Sequence, residues 1–368
     1  MPLTTVHEGR VYDWSHAVGR NAARGPGFNY VQTMCLGKNG ILYATNRGNE
    51  NNFGMHVNKV QLGKGPGEEE HIADFFEYGE GDGKCTWPFG VAVDDNDHVY
   101  VSDDWQNTIS VFDSSGNFVR KWGKSGSGDG ELNRPAGLAV EKNGNIIVVD
   151  SGNNRLQVFT PDGKFVGKCG GPGSGDGQFN QPWGITLDKD GNIYVADWKN
   201  HRVQKLSPEG KFLMKFGQYG KVEEPEGSYA ITMFGPYVAA QSETAGYPKP
   251  GTLNHPTDVA VDPDGDIYVT DWGNHRVCVF DSEGRPICNL IGDAQVLSKW
   301  GEQTVDANPD MAKARRRVKS LEPQYRFCFP TAVEFDPATD SVIVADSQRN
   351  RLQIYKKVRD YSDFQANL

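Results

Sequence analysis

Short apolar runs alternate with polar turns along most of the chain. In residues 137–159 the runs GLAV, NIIVVD and RLQVF are rich in Val, Ile and Phe, which is typical of strands. Stretches such as KNG, DKDG and DPDG follow the first run of such segments, and PDG, PEG or SEG follows the third. These residues tolerate the left-handed backbone of a tight hairpin. The pattern therefore predicts repeated units of four antiparallel strands.

The same unit occurs five times in matching register and once more weakly. The five copies cover residues 85–123, 132–170, 179–217, 253–292 and 328–361, and the weaker copy covers residues 31–62. A single four-stranded sheet cannot bury both faces, whereas copies stacked in a ring can. We therefore expect an all-β fold, a six-bladed β-propeller, which forms one domain over residues 1–368.

A ring of blades needs a closing device, because an open sheet edge must be paired. The last copy has three clear strands followed by the polar tail DYSDFQANL. The N-terminal segment GRVYDWSHAVG is similar to fourth strands such as NFVRKWG. We expect residues 1–20 to supply the missing strand, with completion by the tail itself as the alternative.

The second predicted strand of five copies ends at a shared aspartate. These residues are Asp103, Asp150, Asp197, Asp271 and Asp346. In three copies the sequence continues as D-x-x-N-x-R, for example Asp150, Asn153 and Arg155. Carboxylate, amide and guanidinium groups at this spacing can brace a loop through charge-assisted hydrogen bonds. Each blade needs a brace, whereas a catalytic group is needed once, so His201 and His275 inside this motif are predicted to be structural.

Two links between copies are longer than the rest. Successive shared aspartates are 47, 47, 74 and 75 residues apart, so residues 218–252 and 293–327 are insertions. In an antiparallel four-stranded blade the D-x-x-N-x-R loops and the links lie on one face, called the upper face here. Long ordered insertions are often lids or binding loops. The second contains a predicted basic helix near residues 309–321, which is either a lid that attracts an anionic substrate or a solvated helix.

The composition of the chain limits the kinds of partner and the cellular location that we expect. The formal net charge of -10 disfavours nucleic acid or an anionic membrane as the main ligand. No run approaches the roughly 18 apolar residues of a membrane span, and the N-terminus lacks the apolar core of a signal peptide. The six cysteines form no CxxC pair and no zinc spacing. They are interpreted as reduced, mostly buried thiols of a cytoplasmic protein.

The repeated phrases, such as DWKNHRVQKL and DWGNHRVCVF, resemble the NHL repeat over about residues 31–355. NHL propellers include recognition platforms for RNA or protein and also enzymes, among which the peptidyl-hydroxyglycine amidating lyases are similar in style. The resemblance implies the fold and leaves the function open between these classes.

Candidate site residues occupy the position at or just after the end of the second strand. This position varies from copy to copy: Arg47, Asp104, Ser151, Trp198, Trp272 and Ser347. Variation on a fixed scaffold is what a pocket requires, and here polar groups and indoles converge on one channel mouth. Arg47 and Asp104 are candidate catalytic residues, whereas Ser151, Trp198 and Trp272 are candidate substrate-binding residues, and ordinary loop residues are the alternative.

The stretch YATNRGNE resembles the arginine-bearing segment of the amidating lyases, which implies that Arg47 binds a carboxylate or oxyanion. Those lyases hold zinc with histidines just after the Pro that opens a blade. The corresponding residues here carry no histidine: Phe89, Ala136, Trp183, Thr257 and Thr331. The sequence therefore argues against zinc-dependent amidating activity and assigns no metal ligand.

Further candidates come from departures within the repeat. Asp258 replaces a Gly of the internal copies, and its carboxylate is a candidate base or calcium ligand, or else a turn cap. Trp183 and His255 flank the blade openings and are candidate substrate contacts. Tyr229 in the first insertion is a candidate substrate-binding residue from a lid.

These features favour a lyase or hydrolase that acts on a small, anionic or polar-aromatic molecule at the upper mouth. The alternative is a non-catalytic platform for a protein or peptide. A purely structural propeller is the third reading, and the unequal insertions argue against it.

Overall fold

The computed structural model describes residues 4–7, 9–48, 54–221, 248–319 and 321–359. It shows six antiparallel sheets, each built around four strands, and confirms the predicted all-β propeller. We number the blades 1 to 6 in chain order, and strands within a blade from the innermost outward.

Each of blades 1 to 5 is built from one continuous stretch of chain. Blade 1 comprises Val31–Leu36, Ile41–Arg47, Met55–Gln61 and Glu70–Phe75. Blade 2 comprises Pro88–Val93, Val99–Asp103, Thr108–Phe112 and Phe118–Trp122. Blade 3 comprises Pro135–Val140, Ile146–Asp150, Arg155–Phe159 and Phe165–Gly170. Blade 4 comprises Pro182–Leu187, Ile193–Asp197, Arg202–Leu206 and Phe212–Phe216. Blade 5 comprises Pro256–Val261, Ile267–Asp271, Arg276–Phe280 and Pro286–Leu290.

Blade 6 joins the two ends of the chain. Its three inner strands are Pro330–Asp336, Ser341–Asp346 and Arg351–Val358. The N-terminal strand Arg10–Val18 pairs antiparallel with the third of these, and Thr4–His7 pairs with Arg10–Val18 in turn. The first and last described strands thus lie in one sheet, which links the ends of the ring.

The apolar core is divided among the six interfaces between neighbouring blades. One buried cluster lies between each pair, for example Val149 of blade 3 with Val195 of blade 4, and Tyr268 of blade 5 with Tyr355 of blade 6. The innermost strands also contact one another around the axis. Gly184 allows this approach, because a Cβ there would lie 2.3 Å from the Asp258 Oδ1 atom.

Three helices belong to the second insertion: α1 (Lys299–Asp306), α2 (Pro309–Arg317) and α3 (Glu322–Tyr325). Helix α1 contacts segments next to the fourth strands of blades 6 and 1. Arg20, which follows the blade 6 strand Arg10–Val18, donates to the Thr304 hydroxyl at 2.9 Å. Lys299 donates at 3.1 Å to the carbonyl of Glu69, which precedes the fourth strand of blade 1. Helix α2 is capped by the Asn308 side chain, contacts α1, and is mostly exposed. The predicted basic helix therefore exists but ends at Arg317, and a lid role for it stays a prediction.

The remaining elements are short. Two-residue parallel pairs occur in the links, Glu77–Tyr78 with Lys84–Cys85 and Gln218–Tyr219 with Thr252–Leu253. Single 3-10 turns are Lys38–Gly40, Ser151–Asn153, Trp198–Asn200, Trp272–Asn274 and Ser347–Arg349. Among the described residues no helix is long and apolar enough to cross a membrane.

Candidate active site at the upper mouth

The shared aspartates brace their loops as the sequence predicts. The Asp150 Oδ2 atom accepts from the Asn153 amide at 2.9 Å and from the Arg155 Nε atom at 2.7 Å. Its Oδ1 atom accepts from the Asn133 backbone N–H at 2.7 Å, which fixes the start of the innermost strand. Blades 4, 5 and 6 repeat the Asp–Arg contact at 2.8 Å. The brace therefore holds the upper end of several blades in the same geometry.

A second repeated contact clasps each of these loops to the next blade. The residue after the loop has a left-handed backbone, and its side chain accepts from the backbone N–H just before the next innermost strand. His201 accepts in this way from His255 at 3.1 Å, as His275 accepts from Phe329 at 3.1 Å. Asn107, Asn154 and Asn350 occupy the same position in blades 2, 3 and 6. The two histidines of the repeat are thus part of the scaffold.

These contacts place two sets of side chains around the upper mouth. The loop ring is the set that the sequence predicts: Arg47, Asp104, Ser151, Trp198, Trp272 and Ser347. The link ring consists of the residues that precede the innermost strands: Tyr30, Trp87, Arg134, Gln181, His255 and Phe329. Four loop-ring residues contact the link-ring residue of the next blade: Arg47 with Trp87, Asp104 with Arg134, Trp198 with His255, and Trp272 with Phe329. Sequence reasoning found only His255 of the link ring, although the residue before an opening Pro was a signal available in most copies.

The mouth of blades 1 to 3 is charged. The Arg47 Nη2 atom lies 3.1 Å from the Asp104 Oδ2 atom, and the Arg47 guanidinium lies 4.8 Å from the centre of the Trp87 ring. The Arg134 Nη2 atom lies 3.5 Å from the same Oδ2 atom. Burial raises the pKa of Asp104, although both arginines act to lower it. Its Oδ1 atom is buried with no hydrogen-bond partner among the described residues.

The mouth of blades 4 to 6 is aromatic. The Trp183 and Trp198 rings are stacked with planes 1° apart and centroids 4.8 Å apart. His255 continues this row, 4.6 Å from Trp198 and 6.4 Å from Trp272. Trp272 in turn lies 4.5 Å from Phe329. The structure therefore brings four of the predicted residues into one apolar wall.

His255 is a neutral imidazole in this wall. Burial, together with the nearby His201 and Lys199, lowers its pKa to about 4. Its Nδ1 atom lies 2.8 Å from the Asn254 Oδ1 atom, an acceptor, so we assign the proton to Nδ1. The other ring nitrogen is then an acceptor at neutral pH.

Aromatic side chains also floor part of the mouth. Phe89 of blade 2 and Trp183 of blade 4 meet edge to face with centroids 5.3 Å apart, in one cluster with the small Ala136 of blade 3. A cavity of about 250 Å³ lies in the central channel below the rings and is lined by all six innermost strands. None of the loop-ring or link-ring residues lines this cavity.

Asp258 belongs to this cavity and not to the mouth. Its Oδ2 atom accepts from the Val333 backbone N–H at 3.1 Å. Burial raises the pKa of Asp258 to about 7, and burial raises that of Glu334, another cavity residue, well above its ordinary value. No contact among the described residues joins Asp258 to Arg47, so the predicted catalytic set is divided between two places.

The remaining site predictions concern Ser151, Tyr229 and a bound metal. Ser151 is buried at the start of its loop, and Tyr229 lies outside the described residues. In the described ranges no three His, Cys, Asp or Glu side chains converge as a metal site. Asp258 and Glu334 supply only two carboxylates, so the calcium hypothesis lacks a full ligand set from these residues.

Comparison with known proteins identifies the class. The NHL repeat matches residues 132–159, 179–206 and 253–280, in blades 3, 4 and 5. The chain therefore contains NHL repeats and is built as a six-bladed propeller. The fold does not select the amidating lyases within this class.

Solved propellers resemble the whole chain at low identity. A gluconolactonase from Xanthomonas campestris is 12% identical with a TM-score of 0.55, over 97% of this chain and 95% of that one. A streptogramin B lyase is 12% identical with a TM-score of 0.53, over 94% and 98%. A Bacteroides thetaiotaomicron protein of unknown function is 16% identical with a TM-score of 0.53, over 94% and 73%. At these identities the similarity shows the fold alone.

Proposed function

We propose that this protein is an enzyme, a lyase or hydrolase, that acts on a small molecule bound at the upper mouth. The observation that carries the proposal is the division of the mouth into a charged part and an aromatic part. A substrate with an anionic group and a planar apolar group would contact both at once. The named lyase and lactonase among the similar folds support the idea that such a propeller can carry an enzyme.

Arg47 is the proposed anion-binding and electrophilic group. Its side chain is 27% exposed, and it is oriented by Asp104 on one side and by the Trp87 ring on the other. A guanidinium held in place by the scaffold stabilises negative charge without reorganising during the reaction. Negative charge that develops on a substrate oxygen at the mouth would be stabilised in this way.

Two carboxylates, Asp104 and Asp258, are candidates for the base, and they differ in position and in pKa. Asp104 lies at the mouth beside Arg47, whereas Asp258 lies below the Phe89–Trp183 floor. The pKa of Asp258, about 7, suits a base near neutral pH. Because a base must reach the proton that it removes, the burial of Asp258 argues against it. Asp104 is at the mouth, but its side chain is 3% exposed and paired with Arg47, so we assign it the orientation of Arg47.

A protein or peptide platform is the second candidate function. Two large aromatic side chains on the same face, Trp105 and Tyr219, are each 60% exposed. Exposed aromatic residues are enriched at recognition surfaces. Localisation in the cytoplasm is compatible with either function and stays a prediction.

The test is turnover of a panel of aromatic lactones, esters and carboxylate-bearing ethers, followed by mass spectrometry. We expect wild-type turnover of at least one class, and loss of that turnover in Arg47→Ala with little change in the urea midpoint. Lys164→Ala is the matched control, because Lys164 is an exposed cation that pairs with Asp162, away from the mouth. Full activity in Arg47→Ala, or an equal loss of stability and activity, would contradict the assignment.

A further inference from the structure

We propose that Arg134 and Arg47 together form a subsite for a carboxylate, and that the ligand of the mouth is a monocarboxylate carrying an aromatic group. The inference rests on the proposed function, since it names the substrate class and a second binding residue for the same mouth. Arg134 is the link-ring residue of blade 3, whereas Arg47 is the loop-ring residue of blade 1.

Two guanidiniums from different blades converge on one oxygen. The Asp104 Oδ2 atom lies 3.1 Å from an Arg47 nitrogen and 3.5 Å from an Arg134 nitrogen. The Asp104 side chain is 3% exposed, so it is a fixed anchor within the wall of the mouth. Asp104 therefore acts as a positioning residue that orients both cations toward the same opening.

The scaffold also fixes the backbone of Arg134. Its backbone N–H donates to the Asn107 side chain at 2.7 Å, in the clasp that recurs around the ring. The backbone is left-handed there, with φ of 53°. An arginine at this position is not needed for the clasp, because Gln181 and His255 occupy it in other blades. Its guanidinium is thus free to serve a different purpose.

Hydrogen-bonding capacity remains on both cations. Among the described residues, Asp104 is the one acceptor that either guanidinium reaches. Each guanidinium carries five N–H donors, so most of them stay available to a ligand. The Arg134 side chain is 58% exposed and faces solvent at the mouth. The forked donors of arginine match the two oxygens of a carboxylate.

The charge balance selects a singly charged ligand. Two guanidiniums and one ionised carboxylate sum to one positive charge. A carboxylate neutralises that charge, whereas a phosphate monoester, which carries up to about two negative charges at neutral pH, leaves an excess near buried Asp104. The apolar part of the ligand then lies against Trp198 and Trp272, because the wall opposite the charged part is aromatic.

The experiment is isothermal titration calorimetry with three probes: phenylacetate, the neutral benzyl alcohol, and phenyl phosphate. The proteins are wild type, Arg134→Gln, Asp104→Asn and the control Lys164→Gln. Loss of charge-assisted hydrogen bonds should weaken phenylacetate binding about tenfold or more in Arg134→Gln, while benzyl alcohol binds as in wild type.

Asp104→Asn provides a second measurement, the preference between two ligands, which would not change if the role of Asp104 were only structural. It raises the local charge from one to two, so we expect the preference for phenyl phosphate over phenylacetate to rise about tenfold. Thermal unfolding checks that each variant is folded.

The failures are distinguishable. If phenylacetate binds wild type and Arg134→Gln equally, with benzyl alcohol also bound, the carboxylate subsite is refuted and the proposed mouth survives. If neither phenylacetate nor benzyl alcohol binds wild type, the aromatic mouth and the proposed function fail together.

Discussion

Replacement of His201 tests whether this residue belongs to the scaffold or to the binding site. His201→Ala removes the acceptor of the His255 backbone N–H at 3.1 Å, whereas His201→Asn restores the residue type found in the equivalent clasps. Both variants remove the imidazole, so any catalytic role of the ring would be lost in both. The pair therefore separates a structural acceptor from a chemical group.

The magnitude follows from two contributions. A buried donor that loses its acceptor costs about 1–3 kcal/mol, and the part-buried contact of His201 with His255 lies at the lower end of this range. His201 has φ of 54°, and Ala is less suited than Asn or His to this left-handed region, which adds up to about 1 kcal/mol. We expect His201→Ala to lose about 1–2 kcal/mol of unfolding free energy, and His201→Asn to lose less than about 0.5 kcal/mol.

The assay is equilibrium urea unfolding followed by tryptophan fluorescence, since the chain contains eight tryptophans. Ligand binding of His201→Asn at the mouth should match wild type. Equal destabilisation by Ala and Asn would refute the clasp, and loss of binding in a stable His201→Asn variant would return His201 to the site.

Three further predictions concern residues that hold the propeller together: Asp271, His275 and Gly184. Asp271→Ala leaves buried Arg276 without its partner at 2.8 Å, and unfolding titrations should show a loss of about 3–5 kcal/mol; a loss below 1 kcal/mol would show that the brace is dispensable. The pKa of His275 is lowered to about 4 mainly by burial, so the unfolded chain takes up its proton first. Its stabilisation is present above about pH 6.5 and is lost as the pH falls toward 4, by up to about 3 kcal/mol, and His275→Asn should flatten this part of the pH–stability curve. A curve of unchanged slope would contradict it. Gly184→Ala forces a Cβ to within 2.3 Å of the Asp258 Oδ1 atom, so thermal unfolding should show a loss of about 1–3 kcal/mol; a variant as stable as wild type would mean that the innermost strands are further apart.

The repeat carries enough information to predict the blades and the brace. Turn residues and alternating apolar runs recur in each copy, so strands that are weakly marked in one copy can be assigned from the other copies. The Asp–Asn–Arg spacing also predicts its own hydrogen bonds, because all three groups lie within one short loop. Blade 1 departs from this rule, and there Asn46 donates to Asn58, which donates to Asp74 of the outermost strand. That replacement depends on a contact between distant residues, which spacing does not reveal.

The site was predictable only in part, for the same reason. Arg47, Trp198 and Trp272 occupy an equivalent position in the repeat, so the pattern brings them together. Arg134 comes from another position, and its approach to Asp104 depends on how successive blades are rotated about the axis. Asp258 shows the converse, since its place in the repeat does not reveal that it lines the channel cavity and not the mouth.

The most direct test of the central claim is a crystal structure of the protein soaked with phenylacetate. We predict density in the upper mouth, with the carboxylate at hydrogen-bonding distance, about 3 Å, from the Arg47 guanidinium and the ring against Trp198. Density in the channel cavity beside Asp258, with the mouth left empty, would contradict the claim that the two parts of the mouth hold one ligand.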